Sequence, residues 1–190
     1  MRIRYPLIAM TSVLVLVAAL LIGSASASAT DAQRRPECTI IGTDGNDELH
    51  GTTGPDVICA GPGNDQVFGR AGDDVIFLGA GDDYFNDGAG DDRVYGGPDS
   101  DYALARRGDD RIFLQGGRDL FQSSVLEKRF PSGTDLIVGG RRRDHLSAED
   151  AEGNDHLRGG PDRDTYCADT GDVVRSVEVG DPFDCQEWVP

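Results

Sequence analysis

A nine-residue period governs the middle of this chain and constrains its fold more than any other feature. Aspartate recurs at every ninth position from Asp47 to Asp119. A glycine stands two residues before eight of these nine aspartates, and an apolar residue stands two residues after all nine. The aspartates are Asp47, Asp56, Asp65, Asp74, Asp83, Asp92, Asp101, Asp110 and Asp119, and the glycines are Gly45, Gly54, Gly63, Gly72, Gly81, Gly90, Gly108 and Gly117. Three chemically different positions held in one register predict a repeat array.

Each nonapeptide combines a turn with a very short strand. In the unit 60–68, the first six residues are rich in Gly, Asn and Asp, which favour turns. The last three residues, Gln66-Val67-Phe68, have the chemistry of a strand. A strand of three residues persists only when neighbouring coils place other strands beside it. The period therefore predicts an all-β solenoid.

The repeat unit resembles a known nonapeptide, Gly-Gly-x-Gly-x-Asp-x-U-x with U a large apolar residue. This is the motif of the RTX (repeats-in-toxin) calcium-binding family, also called hemolysin-type calcium-binding proteins. The likeness is good over 42–122 and poor in parts of the tail. It implies a parallel β-roll, a right-handed β-solenoid in which two nonapeptides make one coil. Calcium-binding turns would then stack on both sides, and a C-terminal cap would close the array.

This resemblance sorts the aspartates into two columns, one of which begins at Asp47 and the other at Asp56. Carboxylates on stacked strands would lie about 4.8 Å apart and repel each other. Calcium suits such a column, because it takes about six to eight oxygens in irregular geometry and accepts backbone carbonyls. We therefore expect up to about seven calcium ions between successive turns. The predicted ligands are the nine aspartates with Gly45, Gly54, Gly63, Gly72, Gly81, Gly90 and Gly108.

For individual sites a simpler alternative stays open, in which the aspartate only makes a local turn hydrogen bond. Asp99 and Arg118 depart from the motif within their turns, so the ligands beside them are the weakest predictions. Beyond Gln122 the period is interrupted and then recovers in two pairs of aspartates, Asp135 with Asp144 and Asp155 with Asp164. Because three arginines, 141–143, replace the usual turn before Asp144, no calcium is expected there.

The N-terminal segment has the layout of a secretory signal peptide. Arg2 and Arg4 precede an apolar run over 7–22, and a segment of small residues ends at Ala29. A retained membrane anchor is the alternative, but the run is shorter than the span of about 20 residues that a bilayer requires. We expect a signal peptide over 1–29, an N-terminal cap over 30–41, the β-roll over 42–122, and degenerate repeats with a cap over 123–190. The product would be extracellular, with no membrane span after cleavage.

The chain contains four cysteines, Cys38, Cys59, Cys167 and Cys185. An even number in a chain with a secretory leader favours disulfides, and three pairings are possible. The cysteines fall into two groups at the two ends, so the pairs Cys38–Cys59 and Cys167–Cys185 are favoured. Zinc binding is the alternative, but no CxxC pair or histidine cluster accompanies them.

Charge and missing motifs limit the possible functions. A net charge of −16 opposes nucleic-acid binding, since phosphates would be repelled. The sequence contains no HExxH, GxSxG or phosphate-loop motif, so no catalysis is expected. We predict a secreted, monomeric protein that folds on binding several calcium ions. The alternative is an adhesion module, or an accessory to a toxin or hydrolase, that uses its tail or an outer edge formed by Cys59, Phe77, Tyr95 and Phe113.

Overall fold

The computed structural model describes residues 37–123, 133–148 and 154–175. The chain divides into two units, Met1–Glu37 and Cys38–Pro190. All of the first unit except Glu37 lies outside the described residues, and so does the predicted signal peptide. The described strands all belong to the second unit.

Fifteen short strands make up the described fold. They are β1 (Ile40–Ile41), β2 (Glu48–His50), β3 (Val57–Pro62), β4 (Gln66–Phe68), β5 (Val75–Ala80), β6 (Tyr84–Asn86), β7 (Arg93–Gly97), β8 (Tyr102–Ala105), β9 (Arg111–Gly116), β10 (Leu120–Ser123), β11 (Leu136–Arg141), β12 (His145–Ala148), β13 (His156–Arg158), β14 (Thr165–Ala168) and β15 (Val173–Arg175). No helix occurs among the described residues, and none of them forms a helical segment long and apolar enough to cross a membrane.

Alternate strands belong to opposite sheets, and every pairing is parallel. The odd-numbered strands form an eight-stranded sheet from β1 to β15, and the even-numbered strands form a seven-stranded sheet from β2 to β14. Val67 pairs with Phe85, eighteen residues later, so one coil consists of two nonapeptides. The predicted parallel β-roll is therefore confirmed, with about seven turns.

The core is a single layer of inward side chains between the two sheets. The apolar residue two positions after each repeat aspartate points inward, as Val67, Ile76 and Phe85 show by being fully buried. Burying such a side chain stabilises the fold by about 1.5–3 kcal/mol. Some nonapeptides contribute a second buried side chain, such as Leu78 or Leu114. With one or two such residues in each nonapeptide, the core is thin, and parallel strand pairing holds much of the fold together.

The coils stack so closely that certain turn positions accept only glycine. Gly81 has a φ of +132°, and a methyl carbon added there would collide with the backbone of Gly63 in the preceding coil. Gly108 has a φ of +129° and stands in the same relation to Gly90. Because L-residues rarely adopt this conformation, glycine at these two positions permits the close spacing of the coils.

Aromatic side chains stack along the outside of both sheets. Phe77, Tyr95 and Phe113 form one row on the odd-numbered sheet, with ring centroids 5.0 and 5.4 Å apart. On the other sheet the rings of Tyr84 and Tyr102 stack at 5.5 Å. Aromatic neighbours on adjacent strands stabilise a sheet. Stacking within the rows therefore gives these outer aromatic side chains a structural role.

One predicted disulfide is present at the N-terminal end of the roll. Cys38 and Cys59 are bonded, with their Cα atoms 5.9 Å apart. The bond ties the segment before β1 to β3. Cys185 lies outside the described residues, so the pair Cys167–Cys185 stays a prediction.

The two sheets continue through the tail even though the sequence period is interrupted. β9 pairs with β11, so Ile112 lies beside Ile137 across a longer connection. The corresponding aspartates, Asp110 and Asp135, are 25 residues apart instead of 18. The additional residues leave the strand register unchanged.

Candidate metal centre

The repeat aspartates lie immediately before the strands and form a ladder of hydrogen bonds in each of two columns. The amide of Asp65 donates to Oδ1 of Asp83 at 2.8 Å, and this contact repeats one coil at a time. One column joins Asp47, Asp65, Asp83, Asp101, Asp119, Asp144 and Asp164, and the other joins Asp56, Asp74, Asp92, Asp110, Asp135, Asp155 and Asp172. The ladder holds one oxygen of each acceptor carboxylate in place and thereby fixes the direction of the other.

The second oxygen of the central carboxylates has no hydrogen-bond partner. The aspartates that share this feature are Asp65, Asp74, Asp83, Asp92, Asp101, Asp110, Asp119 and Asp144, and it concerns Oδ2 in each case. None of these residues exposes more than 3% of its surface. A buried acceptor left without a partner costs about 1–3 kcal/mol, and a charged one costs more. The columns therefore require a proton or a cation beside Oδ2.

Backbone carbonyl oxygens border the same small space as these carboxylate oxygens. A methyl carbon built on Gly96 would lie 2.5 Å from Oδ2 of Asp101 and 2.8 Å from the carbonyl oxygen of Leu114 in the next coil. The same construction on Gly69 lies 2.8 Å from Oδ2 of Asp74 and also meets the carbonyl of Asp87. Carboxylate and carbonyl oxygens converging from two coils are a donor set that fits calcium.

The comparison with protein families agrees with this donor set. A family model, the RTX calcium-binding nonapeptide repeat (4 copies), matches residues 41–76, 68–103, 87–121, 132–166 and 149–173. These matches cover more than half of the chain. The chain belongs to the RTX calcium-binding nonapeptide repeat family. No curated protein matches it.

The first two turns of this RTX roll differ from the central ones because threonines complete them. Oδ2 of Asp47 accepts hydrogen bonds from the amide and hydroxyl of Thr43, at 2.6 and 2.9 Å. Oδ2 of Asp56 accepts the same pair from Thr52, also at 2.6 and 2.9 Å. These two predicted ligands thus lie in the columns, but protein donors already occupy the oxygen that is unpartnered in later turns.

Burial raises the proton affinity of several central carboxylates. Desolvation raises the pKa of Asp74 and Asp83 to about 6, of Asp92 to about 7 and of Asp101 to about 8, and neighbouring carboxylates add to the effect. By contrast, hydrogen bonds from the Thr52 backbone lower the pKa of Asp56. The central turns therefore favour a positive species beside the carboxylate, whereas the Asp56 turn already stabilises the anion.

The predicted glycines contribute chiefly through backbone geometry. The amide of Gly72 donates to the carbonyl of Ala89 in the next coil, and that of Gly90 donates to the carbonyl of Arg107, both at 2.8 Å. Gly63, Gly81 and Gly108 have positive φ angles as well, whereas Gly45 and Gly54, in the threonine-containing turns, do not. Glycine therefore permits the close stacking on which the columns depend.

A second set of acids flanks the columns from outside. Asp73, Asp82, Asp91 and Asp109 are exposed and precede the column aspartates directly. The amide of Asp91 donates to Oδ1 of Asp73 at 3.1 Å, and the amide of Asp109 donates to Oδ1 of Asp91 at 3.0 Å. These acids support the turns through hydrogen bonds and do not enter the buried space.

The tail turn at Asp144 has the geometry of a central turn. Oδ1 of Asp144 accepts the amide of Asp119 at 3.1 Å, and burial raises the pKa of Asp144 to about 7. The arginines 141–143 are exposed, so they leave the space beside Oδ2 of Asp144 to other groups. The sequence interpretation ended the ligand columns at Asp119. Only the paired spacing of the tail aspartates indicated that they continue.

One buried acid outside the two columns was also not among the predicted ligands. Asp87 is fully buried and lies with Asp92 and Asp110, so that one carboxylate oxygen from each is within 4.8 Å of the others. The sequence showed Asp87 only as a departure from glycine at the first position of its nonapeptide. That this position points inward is a property of the folded coil and is not visible in the sequence.

Proposed function

We propose that this RTX protein is a secreted calcium-binding repeat protein that completes its fold when several calcium ions bind, and that it has no catalytic activity of its own. The observation that supports the proposal most strongly is the series of buried Oδ2 atoms from Asp65 to Asp119 that no protein group satisfies. Each of these oxygens lies at the end of a fixed carboxylate, so a cation would meet a preformed ligand.

Electrostatics makes the calcium-free roll weak. Strand stacking sets successive carboxylates of a column about 4.8 Å apart, where two unit charges repel by roughly 0.9 kcal/mol even in water. The repulsion is several-fold larger at a partly desolvated site. The thin core offsets this only in part, since ordering each backbone residue costs about 1–2 kcal/mol. A divalent cation between successive turns replaces the repulsion by attraction.

The donor set favours calcium over magnesium. The space beside Oδ2 of Asp101 is bordered by that carboxylate and by the backbone carbonyl of Leu114. Calcium accepts irregular geometry and carbonyl ligands, whereas magnesium requires a smaller octahedron and retains water. We therefore expect magnesium to be a poor substitute.

A calcium titration followed by circular dichroism tests coupled folding. In a chelator near neutral pH the chain should lack most of its β signal, and millimolar calcium should restore it together with compaction in size-exclusion chromatography. Magnesium at the same concentration is the matched control and should restore little. An identical spectrum with and without calcium would contradict the proposal.

Isothermal titration calorimetry tests the number of ions. The gaps between stacked carboxylates support several sites, about seven in the columns from Asp47 to Asp119. The Thr43 and Thr52 contacts weaken the case for the first gap of each column. A stoichiometry of only one or two calcium ions would be incompatible with an array.

Secretion is supported by the disulfide and by the predicted leader. The Cys38–Cys59 bond is of a type that persists in oxidising compartments outside the cytosol. Expression of the full chain in a secreting bacterial host should yield a product that lacks residues 1–29 and carries the bond. N-terminal sequencing and mass spectrometry under non-reducing conditions check both points. A product that retains its leader within the cytosol would contradict secretion.

Binding to a cell surface is the second candidate function. The supporting observation is the aromatic row Phe77, Tyr95 and Phe113, whose members are half-buried and leave ring surface on the outside of the sheet. Stacking within the row explains the same residues without a partner, which is why calcium binding alone is preferred. Retention of the calcium-loaded protein on isolated cell envelopes, lost in a Tyr95→Ser variant that still folds, would favour the second function.

A further inference from the structure

We propose that Asp87, Asp92 and Asp110 form a three-carboxylate cation site that binds calcium more tightly than the neighbouring gaps and fills first. The inference rests on the proposed function, since it assumes that the turns of this column bind cations. It goes further by assigning one gap a ligand that the repeat pattern lacks. The site would also accept trivalent lanthanide ions.

Asp87 occupies a position whose side chain points into the turn. It follows β6 directly and begins the turn that Asp92 ends. The equivalent residue one coil earlier is Gly69, where an added methyl carbon would lie 2.8 Å from Oδ2 of Asp74. A side chain at this position therefore points toward the column carboxylate of its own turn. One coil later the same position holds Ala105, which is fully buried.

The carboxylate of Asp87 is held in place by one oxygen only. Its Oδ1 accepts the amide of Gly88 at 2.6 Å and the amide of Arg106 at 3.0 Å. Its Oδ2 is buried without a hydrogen-bond partner. The contact with Arg106 thus comes from the backbone, and Oδ2 stays directed into an interior that is closed to solvent.

The carboxylates of Asp92 and Asp110 are oriented in the same way. Oδ1 of Asp92 accepts the amide of Asp74, and Oδ1 of Asp110 accepts the amide of Asp92, both at 2.8 Å. Oδ2 of each is buried and lacks a hydrogen-bond partner. Each of the three carboxylates is therefore oriented by one oxygen and has the other available to a ligand.

The distances among the three acids suit one calcium ion. Each offers a carboxylate oxygen within 4.8 Å of the other two. Because calcium binds oxygens at about 2.3–2.6 Å, ligands on opposite sides of one ion lie up to about 5 Å apart. Within the residues that the structure describes, these are the three acids that meet this distance condition. A single ion can therefore contact all three.

Charge explains why this gap should be the strongest. An ordinary gap brings together two carboxylates, whereas this gap brings together three, those of Asp87, Asp92 and Asp110. Calcium affinity rises with the number of charged ligands and with the rigidity of the site. The third charge also increases repulsion in the absence of an ion, so the difference between the loaded and empty states is largest here. Terbium, with its higher charge, should benefit most.

Calorimetric titration of the full chain with calcium, and separately with terbium, tests the proposal. The principal variant is Asp87→Asn, which keeps an acceptor for the amides of Gly88 and Arg106 but removes the charge. The control variant is Asp91→Asn, which removes one charge from an exposed acid of the same turn. We expect a first tight step in the wild type and in Asp91→Asn. In Asp87→Asn this step should weaken by about tenfold for calcium and more for terbium, with the later steps unchanged.

A second variant, Asp87→Gly, restores the glycine of the repeat. It provides an independent test if Asp87→Asn does not fold. Calcium-saturated circular dichroism shows whether each variant reaches the wild-type fold. Loss of the tight step in a variant that folds supports the site. Retention of the tight step in either variant overturns it, as would failure of both to fold, because Asp87 would then be a buried packing residue. If the wild type binds no calcium at all, the proposed function fails too, whereas several equal steps would reject this inference alone.

Discussion

The first two turns of the roll and the later, central turns carry the same aspartate in the same register, yet they satisfy it differently. Oδ2 of Asp56 accepts two hydrogen bonds from Thr52, whereas Oδ2 of Asp74, one coil later, has no hydrogen-bond partner. The pKa of Asp56 is lowered and that of Asp74 is raised to about 6. A protein donor and a cation are thus two ways to stabilise one buried carboxylate, and the array uses the first at its end.

This difference suggests why only the central turns should make folding depend on calcium. The hydrogen bonds from Thr43 to Asp47 and from Thr52 to Asp56 form a threonine cap, which lets the first coil form with protein groups alone. A solenoid adds further coils by stacking on an existing one. Each added central coil contributes a buried carboxylate that the protein does not satisfy. The first coil can therefore act as a template, while the calcium concentration determines how far the roll extends.

The largest expected effect comes from pH, because protons act on several central aspartates at once. The pKa of Asp101 is raised to about 8 and that of Asp110 to about 9, well above the ordinary value of 3.8, chiefly by burial. The stability that these protonated carboxyls contribute is thus fully present below the ordinary value and is lost as the pH rises through the folded-state pKa values of about 8 to 9. In calcium-free buffer, acidification from pH 8.5 to 5.5 should restore part of the β signal in circular dichroism.

The threonine-capped end should behave oppositely in the same experiment. The folded-state pKa of Asp56 is depressed, so its contribution is present above the ordinary value and is lost only as the pH falls below it. An Asp56→Asn variant should therefore recover β signal over the same pH range as the wild type. An Asp101→Asn variant, which needs no proton at that position, should recover it at higher pH. Equal recovery profiles for the two variants would argue against a distinction between the regions.

Removal of a central ligand should have the next largest effect. Asp74 and Asp83 each lie between two gaps of a column, so Asp74→Ala or Asp83→Ala weakens two sites. We expect the calcium midpoint of folding to rise by about tenfold, equivalent to roughly 1.4 kcal/mol, and the transition to become less cooperative. Asp47→Ala is the matched control, because Thr43 already binds its Oδ2. A similar shift in all three variants would mean that the capped turns also bind calcium.

A smaller effect is expected at Asp144 in the tail. The sequence alone predicted no calcium there, yet Oδ2 of Asp144 is buried without a hydrogen-bond partner, as in the central turns. Because fewer coils stack beyond it, we expect Asp144→Ala to raise the calcium midpoint by about threefold, with fewer ions bound in calorimetry. An unchanged midpoint and stoichiometry would restore the interpretation that the columns end at Asp119.

The sequence predicted the architecture well because one interval controls it. A nine-residue period with an inward apolar residue leaves a single register, and Val67 lies beside Phe85 as that period requires. The tail was harder to interpret because the connections before Asp135 and Asp155 change length while the strand register persists. Strand pairing and the aspartate ladder tolerate longer connections, and the period alone does not show this.

The individual turns could not be predicted with the same success. Whether Asp56 needs a cation depends on the Thr52 side chain folding back over four residues, a contact that the repeat pattern does not include. Whether Asp87 belongs to a site depends on the direction of the first side chain in the turn, which is fixed by the coil above. Both are properties of side chains relative to stacked backbones, so they appear only once the coil is built.

The smallest effect tests the threonine cap itself. Thr52→Val removes the hydroxyl donor from Oδ2 of Asp56 but keeps the shape of the side chain and the 2.6 Å bond from the backbone amide. Loss of one hydrogen bond to a charged group should lower the free energy of unfolding by about 1.5 kcal/mol in urea denaturation at saturating calcium. Because the backbone amide of residue 52 still donates to Oδ2 of Asp56, the number of calcium ions bound should stay the same. If Thr52→Val instead gains an ion in calorimetry at unchanged stability, protein donors and calcium are interchangeable at this turn. The Thr52 hydroxyl would then merely take the place of a calcium ion. The two regions would differ in their side chains and not because of their position in the roll.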